Sequence, residues 1–138
     1  MGLDIAQVFA KAGKDVVVRD ITDEIISAAE AKLNKSLDKL VAKGKMDEAA
    51  KQALTSKISF TTDLAKIADA DLVVEAIVEN LKVKKTVFQE LDAICKPETI
   101  FASNTSSISI TEIASAVSRK EKFIGMHFFN PATVMKLV

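Results

Sequence analysis

The 138-residue sequence has one cysteine, one histidine, two prolines and four glycines, and no excess charge, with 19 basic side chains against 19 acidic ones. A single Cys95 excludes an internal disulfide framework and any multi-cysteine metal site. With His127 as the only histidine, no pair of imidazoles is available for a metal. Zero net charge, with lysines and acids interspersed, gives no field to gather a polyanion or an anionic membrane. Nucleic acid and membrane are therefore not expected partners. No apolar run approaches the roughly 20 residues of a membrane span. The start, Met1-Gly2-Leu3-Asp4-Ile5-Ala6-Gln7, carries an early acid and no basic flank, unlike a secretory signal, and Ala6 breaks the myristoylation pattern. A reducing, cytoplasmic setting fits these absences. What is present, 49% hydrophobic and 28% charged residues, suits one globular domain.

Apolar spacing predicts alternating helices and strands. Ile5, Val8, Phe9 and Ala12 follow a helical period that Gly13 stops, and Val16-Val17-Val18 is a short β-branched run of the kind covered on both faces. After Thr22, a candidate N-cap, a helix to about Lys43 lines up Ile25, Ile26, Ala29, Leu33, Leu37, Leu40 and Val41. Gly44 breaks it, and a second helical pattern from Met46 to about Thr55 makes a helical hairpin. Further strands are expected at Ile58–Phe60, Leu72–Glu75, Thr99–Ala102 and Phe123–Met126, and further helices at Lys82–Cys95 and Ile110–Val117. Strands separated by helices, without hairpin turns between them, predict an α/β fold with a doubly wound, mostly parallel, Rossmann-like sheet and an inserted helical hairpin.

Such a sheet binds ligands where its strands end. A dinucleotide fold normally opens with a strand and a glycine turn leading into the first helix; here that strand is missing, and only Gly2 can belong to the turn. Asp20 closes the Val16–Val18 strand, where an acid can accept from ribose hydroxyls and repel a 2′-phosphate; a helix cap or turn residue is the equal alternative. His127 follows the last strand and can project into a cleft, or it can pack beside Phe128 and Phe129 without chemistry. The run Ser103-Asn104-Thr105-Ser106-Ser107 reads as a turn and helix cap, and Lys82, Lys84 and Lys85 as a solvated helix face. Cys95 is expected to pack rather than react.

Five separated segments, Met1–Gln7, Val17–Asp20, Val73–Asn80, Phe101–Ser107 and Gly125–Pro131, together resemble the cofactor domain of the 3-hydroxyacyl-CoA dehydrogenases, and in particular the bacterial 3-hydroxybutyryl-CoA enzymes. The resemblance runs from end to end. It implies an oxidoreductase that moves hydride between the C3 hydroxyl of a 3-hydroxyacyl-CoA and NAD, in fatty acid or butyrate metabolism, with acetoacetyl-CoA as the oxidised partner. It makes His127 the general base, Ser106 the serine that hydrogen-bonds the reacting oxygen or the base, and Asn130 the asparagine beside the histidine that can fix its orientation. Gly2 becomes the third glycine of the phosphate turn, Asp20 the ribose acid, and Glu79, Lys84 and Asn104 residues of the nicotinamide end. Ser36, Lys43 and Ser106 fall on the CoA or substrate side. Asp4 stands where the family has a small residue and would oppose a nearby pyrophosphate.

The same resemblance makes residues 1–138 a truncated dinucleotide-binding domain. The family continues past Val138 into the glutamate that partners the histidine and then into a helical domain for dimerisation. By that reading the whole enzyme is a homo-oligomer and this chain alone is inactive and prone to associate. A nucleotide- or CoA-binding module without catalysis is the alternative function.

Overall fold

The computed structural model describes residues 1–138 and contains five α-helices and five short strands. The helices are α1 (Gly2–Lys11), α2 (Asp23–Ala42), α3 (Glu48–Ser56), α4 (Leu81–Ile94) and α5 (Ile110–Ala114). The strands are β1 (Val16–Arg19), β2 (Ile58–Thr61), β3 (Leu72–Glu75), β4 (Ile100–Ser103) and β5 (Phe123–Gly125). Every strand pairing is parallel, as the alternation of strands and helices predicts. The strands form two sheets: β1 with β2, and β3-β4-β5. They belong to two compact units, Leu3–Asp63 and Met1–Gly2 with Leu64–Val138.

In the first of these units, Leu33 and Leu37 of α2, Ala10 of α1, Leu54 of α3 and Ile58 of β2 form the buried core. Thr22 caps α2 by accepting from the Ile25 N–H, and Gly44 ends the helix in left-handed conformation with φ of 68°. Asp47 caps α3 in the same way, and Lys51 of α3 reaches Asp38 of α2, closing the expected hairpin. One expectation fails here. Val16 and Val18 pack on the core, but Val17 is 43% exposed, so β1 is not covered on both faces. Alternate residues of a strand point to opposite faces, and here only one of those faces meets the core.

The second unit packs Phe88 and Leu91 of α4 against Phe101 of β4, Phe123 of β5, and Ile113, Ala114 and Val117 around α5. Three of its phenylalanine rings form one group, with Phe88 4.7 Å from Phe123 and 5.5 Å from Phe101, tilted or edge-on as ring quadrupoles favour. The helix α5 is shorter than predicted, ending at Ala114, because Ser115 adopts the C-cap position. Two short 3₁₀ turns, Leu64–Ile67 and Lys120–Lys122, have no counterpart in the apolar spacing. Cys95 is buried at the end of α4, and burial pushes its thiol above the ordinary cysteine range, as a packing residue requires. No helix is long and apolar enough to cross a membrane.

The C-terminal end of α4 is held by residues beyond α5. Ser118 donates both its N–H (2.7 Å) and its hydroxyl (2.9 Å) to Asp92 Oδ2, while Arg119 Nε donates to Asp92 Oδ1 at 2.8 Å. Burial pushes the Asp92 carboxyl up, but the donors from Ser118 and Arg119 outweigh it and hold the group below the ordinary carboxylate range. A folded pKa below the unfolded value contributes stability that is complete above that value, near 3.8, and is lost as pH falls through the folded pKa. Asp92→Asn is therefore expected to lower stability at about pH 7 and to lose that difference progressively below about pH 4. Urea titrations of both proteins at the two pH values read this directly; a difference independent of pH would overturn it.

Candidate functional site

Register places three strand ends side by side. Glu75 of β3 pairs with Ser103 of β4, and Ser103 pairs with Gly125 of β5, so the segments Ala76–Asn80, Asn104–Ser107 and Met126–Asn130 all leave the sheet at one edge. In parallel α/β sheets this carboxyl edge is where ligands bind. Gly2 belongs to the same unit and lies beside the exit of β3: a Cβ built on it would meet the Ala76 Cβ at 3.7 Å, an ordinary contact.

A network of charged and hydroxyl groups fills the base of this edge. Lys84, on α4, has a side chain only 1% exposed, and its ammonium lies 2.5 Å from Glu75 Oε1 and 3.0 Å from Glu79 Oε1. The solvated-face reading of the lysines thus holds for exposed Lys82 and not for Lys84, which the turn of α4 points inward onto two carboxylates. Glu75 is buried too. Its Oε1 also accepts from the Ile77 N–H (2.8 Å), and its Oε2 accepts from the Ser103 hydroxyl (2.5 Å). A buried carboxylate and a buried ammonium are tolerable only when paired and hydrogen-bonded in this way.

Glu79 is the member of the network that meets solvent, with its side chain 47% exposed. Its Oε2 accepts from the Thr105 hydroxyl (2.7 Å) and the Ser107 hydroxyl (3.2 Å). The Thr105 hydrogen bond, followed by Lys84, holds the Glu79 carboxyl below the ordinary range, so the group remains an anion. Thr105 Oγ1 in turn accepts from the Ile108 N–H at 3.1 Å, which fixes the loop leading to α5. The predicted helix cap falls instead on Ser109, whose hydroxyl accepts from the Glu112 N–H at the start of α5, while Thr105 and Ser107 orient the acid.

His127 stands exposed just after β5, its ring 5.5 Å from that of Phe129, while Phe128 is buried. Its Nδ1 lies 3.0 Å from the Asn104 carbonyl oxygen. A carbonyl only accepts, so Nδ1 carries a proton, which in the neutral tautomer leaves the lone pair at Nε2. Asn104 holds the flank of the histidine as well: its side-chain Oδ1 accepts from the Phe128 N–H at 2.7 Å, and its own N–H donates to the Glu75 carbonyl at 2.9 Å. Ser106 and Asn130 are both exposed on the loops of this edge.

One unit thus contains Gly2, Glu79, Lys84, Asn104, Ser106, His127 and Asn130. Asp20, Ser36 and Lys43 lie in the other. Half-buried Asp20 follows β1, with Oδ1 accepting from the Ile21 N–H at 2.8 Å, a turn role that leaves its second oxygen available. Ser36 is exposed on α2, and Lys43, also exposed, is the C-cap of that helix. Sequence reasoning missed Glu75 and Ser103. Their signal was an acid and a hydroxyl at the last positions of two otherwise apolar strands, where a polar side chain needs a buried partner.

The strand ends of the second unit thus offer an anionic residue half open to solvent and an imidazole whose Nδ1 faces a carbonyl, and in the first unit an acid follows β1.

Comparison with known proteins agrees. The family model for the 3-hydroxyacyl-CoA dehydrogenase NAD binding domain matches residues 1–138. The chain is 51% identical over its whole length to a 3-hydroxybutyryl-CoA dehydrogenase of Clostridioides difficile, covering 49% of that protein. It is 49% identical over 145 aligned residues to the human mitochondrial hydroxyacyl-coenzyme A dehydrogenase, covering 46% of it. The crystal structure of (S)-3-hydroxybutyryl-CoA dehydrogenase from Ralstonia eutropha superposes with a TM-score of 0.95 at 43% identity, over 99% of this chain and 48% of that one. The chain spans about half the length of the curated relatives it matches. With parallel α/β topology, a nucleotide-type strand edge and a family match along its full length, the chain belongs to the 3-hydroxyacyl-CoA dehydrogenase family as an NAD binding domain.

Proposed function

We propose that this domain serves an NAD-dependent dehydrogenase acting on short 3-hydroxyacyl-CoA thioesters, with acetoacetyl-CoA as the oxidised partner, in fatty acid or butyrate metabolism. The observation that carries the reading is His127 at the carboxyl edge of the sheet, its Nδ1 facing the Asn104 carbonyl at 3.0 Å and its Nε2 left as the basic atom.

NAD, when bound, supplies the hydride acceptor. His127 Nε2 takes the proton of the 3-hydroxyl in oxidation and returns a proton to the developing alkoxide in reduction. Ser106, exposed on the neighbouring loop, donates its hydroxyl to the reacting oxygen, and Asn130, on the loop that follows His127, orients the base. Glu79, kept anionic and held by Thr105 and Ser107, lines the nicotinamide end; Lys84 acts there by holding Glu79. Gly2, at the N-terminus of α1, belongs to the phosphate turn, and Asp20 accepts from the adenosine ribose hydroxyls. Ser36 and Lys43 contact the CoA moiety, where a lysine suits a phosphate-bearing handle. The whole enzyme works as a homo-oligomer in the cytoplasm.

In the whole enzyme, acetoacetyl-CoA should be reduced with consumption of NADH, and NADPH should serve less well because of Asp20. Spectrophotometric assay with both cofactors, together with calorimetric titration of each ligand, tests the reading. Binding of NADH and acetoacetyl-CoA without turnover would leave a binding module, and equal use of NADPH would remove the role of Asp20.

A further inference from the structure

The network beneath the strand ends holds more charge than a lysine needs for neutrality. Lys84 is a single cation, yet two carboxylates, Glu75 at 2.5 Å and Glu79 at 3.0 Å, share it. With all three ionised the cluster carries a net charge of minus one. That excess sits unevenly. Glu75 is enclosed and saturated by Lys84, the Ile77 N–H and the Ser103 hydroxyl, while Glu79 is the half-exposed member. Were Glu75 absent, the ammonium would pair with Glu79 alone, and the solvent-facing end would be a neutral ion pair. Because Glu75 shares the ammonium, the charge of outward-facing Glu79 is only partly offset by Lys84.

The two forms of NAD differ at one end by one charge: the oxidised nicotinamide is a cationic ring and the reduced one is neutral. We propose that Glu75, buried beneath the strand ends, is a positioning residue that sets the preference of this site between NAD⁺ and NADH by competing for the Lys84 ammonium and so leaving Glu79 a partly offset anion. The inference rests on the reading above that Glu79 lines the nicotinamide end. It extends that reading by assigning a role to a residue buried one layer deeper, at the last position of β3.

Coulomb attraction between a ring cation and an anion a few ångströms away, screened as near a protein surface, makes the loss of one such charge worth about threefold to tenfold in relative affinity. Glu75→Gln preserves the shape of the side chain and its capacity to bond Ser103 and Ile77, while leaving Lys84 paired with Glu79. Dissociation constants for NAD⁺ and NADH, measured separately by calorimetry on the whole protein, should then show NAD⁺ weakened about threefold to tenfold relative to NADH. A loss of structure alone would weaken both forms alike and leave the ratio unmoved, so an unchanged ratio overturns the inference.

Lys84→Met alone removes the ammonium from Glu79 altogether and should shift the ratio toward NAD⁺, which gives a second reading should Glu75→Gln fail to fold. In that background Glu75→Gln should move the ratio no further, because no ammonium remains to be shared; an unmoved ratio in Lys84→Met, or a further shift in the double variant, would overturn the proposal. If the parent protein binds neither form of the cofactor, the functional reading falls and this inference with it; if both bind and the ratio stays fixed, only this inference falls.

Discussion

With His127 replaced by glutamine, the whole enzyme is expected to lose about 10² to 10⁴ in kcat while its affinity for NADH changes little, the range general acid–base catalysis ordinarily contributes. Glutamine fills similar space and can still donate to the Asn104 carbonyl that now faces Nδ1 at 3.0 Å, but it has no group that accepts a proton near neutral pH. The pH profile adds a second check. If ionisation of the imidazole governs the acidic limb of the rate, that limb should vanish in the variant. An undiminished kcat would return His127 to the status of a surface residue beside Phe129.

A comparably large effect, on stability, is expected at Arg119. This residue is almost wholly buried, and its guanidinium uses all of its donors: Nε to Asp92 Oδ1, Nη1 to the carbonyls of Lys96 and Thr99, and Nη2 to those of Asp92 and Cys95. The group also lies 4.7 Å over the ring of Phe101 in the core. The last turn of α4 has no basic residue of its own, so Arg119 supplies from a distant part of the chain what helix C-termini usually obtain locally. Arg119→Met would remove the guanidinium from four carbonyls and from the Asp92 carboxylate, which keeps only its Ser118 donors, and is expected to cost about 3–5 kcal/mol. Urea unfolding followed by far-ultraviolet circular dichroism suits a chain without tryptophan or tyrosine. Arg119→Lys should recover only part of the loss, since an ammonium lacks the planar fork. A loss below about 1 kcal/mol for the methionine variant would show that water replaces these bonds freely.

Much of this architecture is legible in the amino-acid order. The β-branched and apolar tetrads at Leu72–Glu75 and Ile100–Ser103, and the caps Thr22 and Gly44, state their local structure through patterns that depend only on near neighbours. What escaped depends on how elements fold back on one another. Spacing alone reads Lys84 as one of three solvated lysines until the fold brings Glu75 of β3 and Glu79 of the loop after it onto its ammonium. Arg119 has no signal at all, because its partners lie 20 to 27 residues upstream, on α4 and the segment after it. The exposure of Val17 is likewise a tertiary fact: β-branched residues favour a strand whether one face or both are covered. At the site, His127, Ser106 and Asn130 were named by resemblance, whereas the Asn104 contacts that hold the histidine emerge only from the geometry.

The alignment of Glu75, Ser103 and Gly125 across three strands has a consequence for how the chain tolerates changes of length. Side chains along a strand alternate between faces, so one residue inserted within β4 would turn the Ser103 hydroxyl away from Glu75 and shift Asn104 out of reach of His127. Both halves of the site would be lost without any site residue having been replaced. A residue added to the turn between α2 and α3, where Gly44 sits exposed, moves none of these strand ends. The domain therefore keeps its chemistry by counting residues in three strands of four, four and three, and can vary freely where no counting is done.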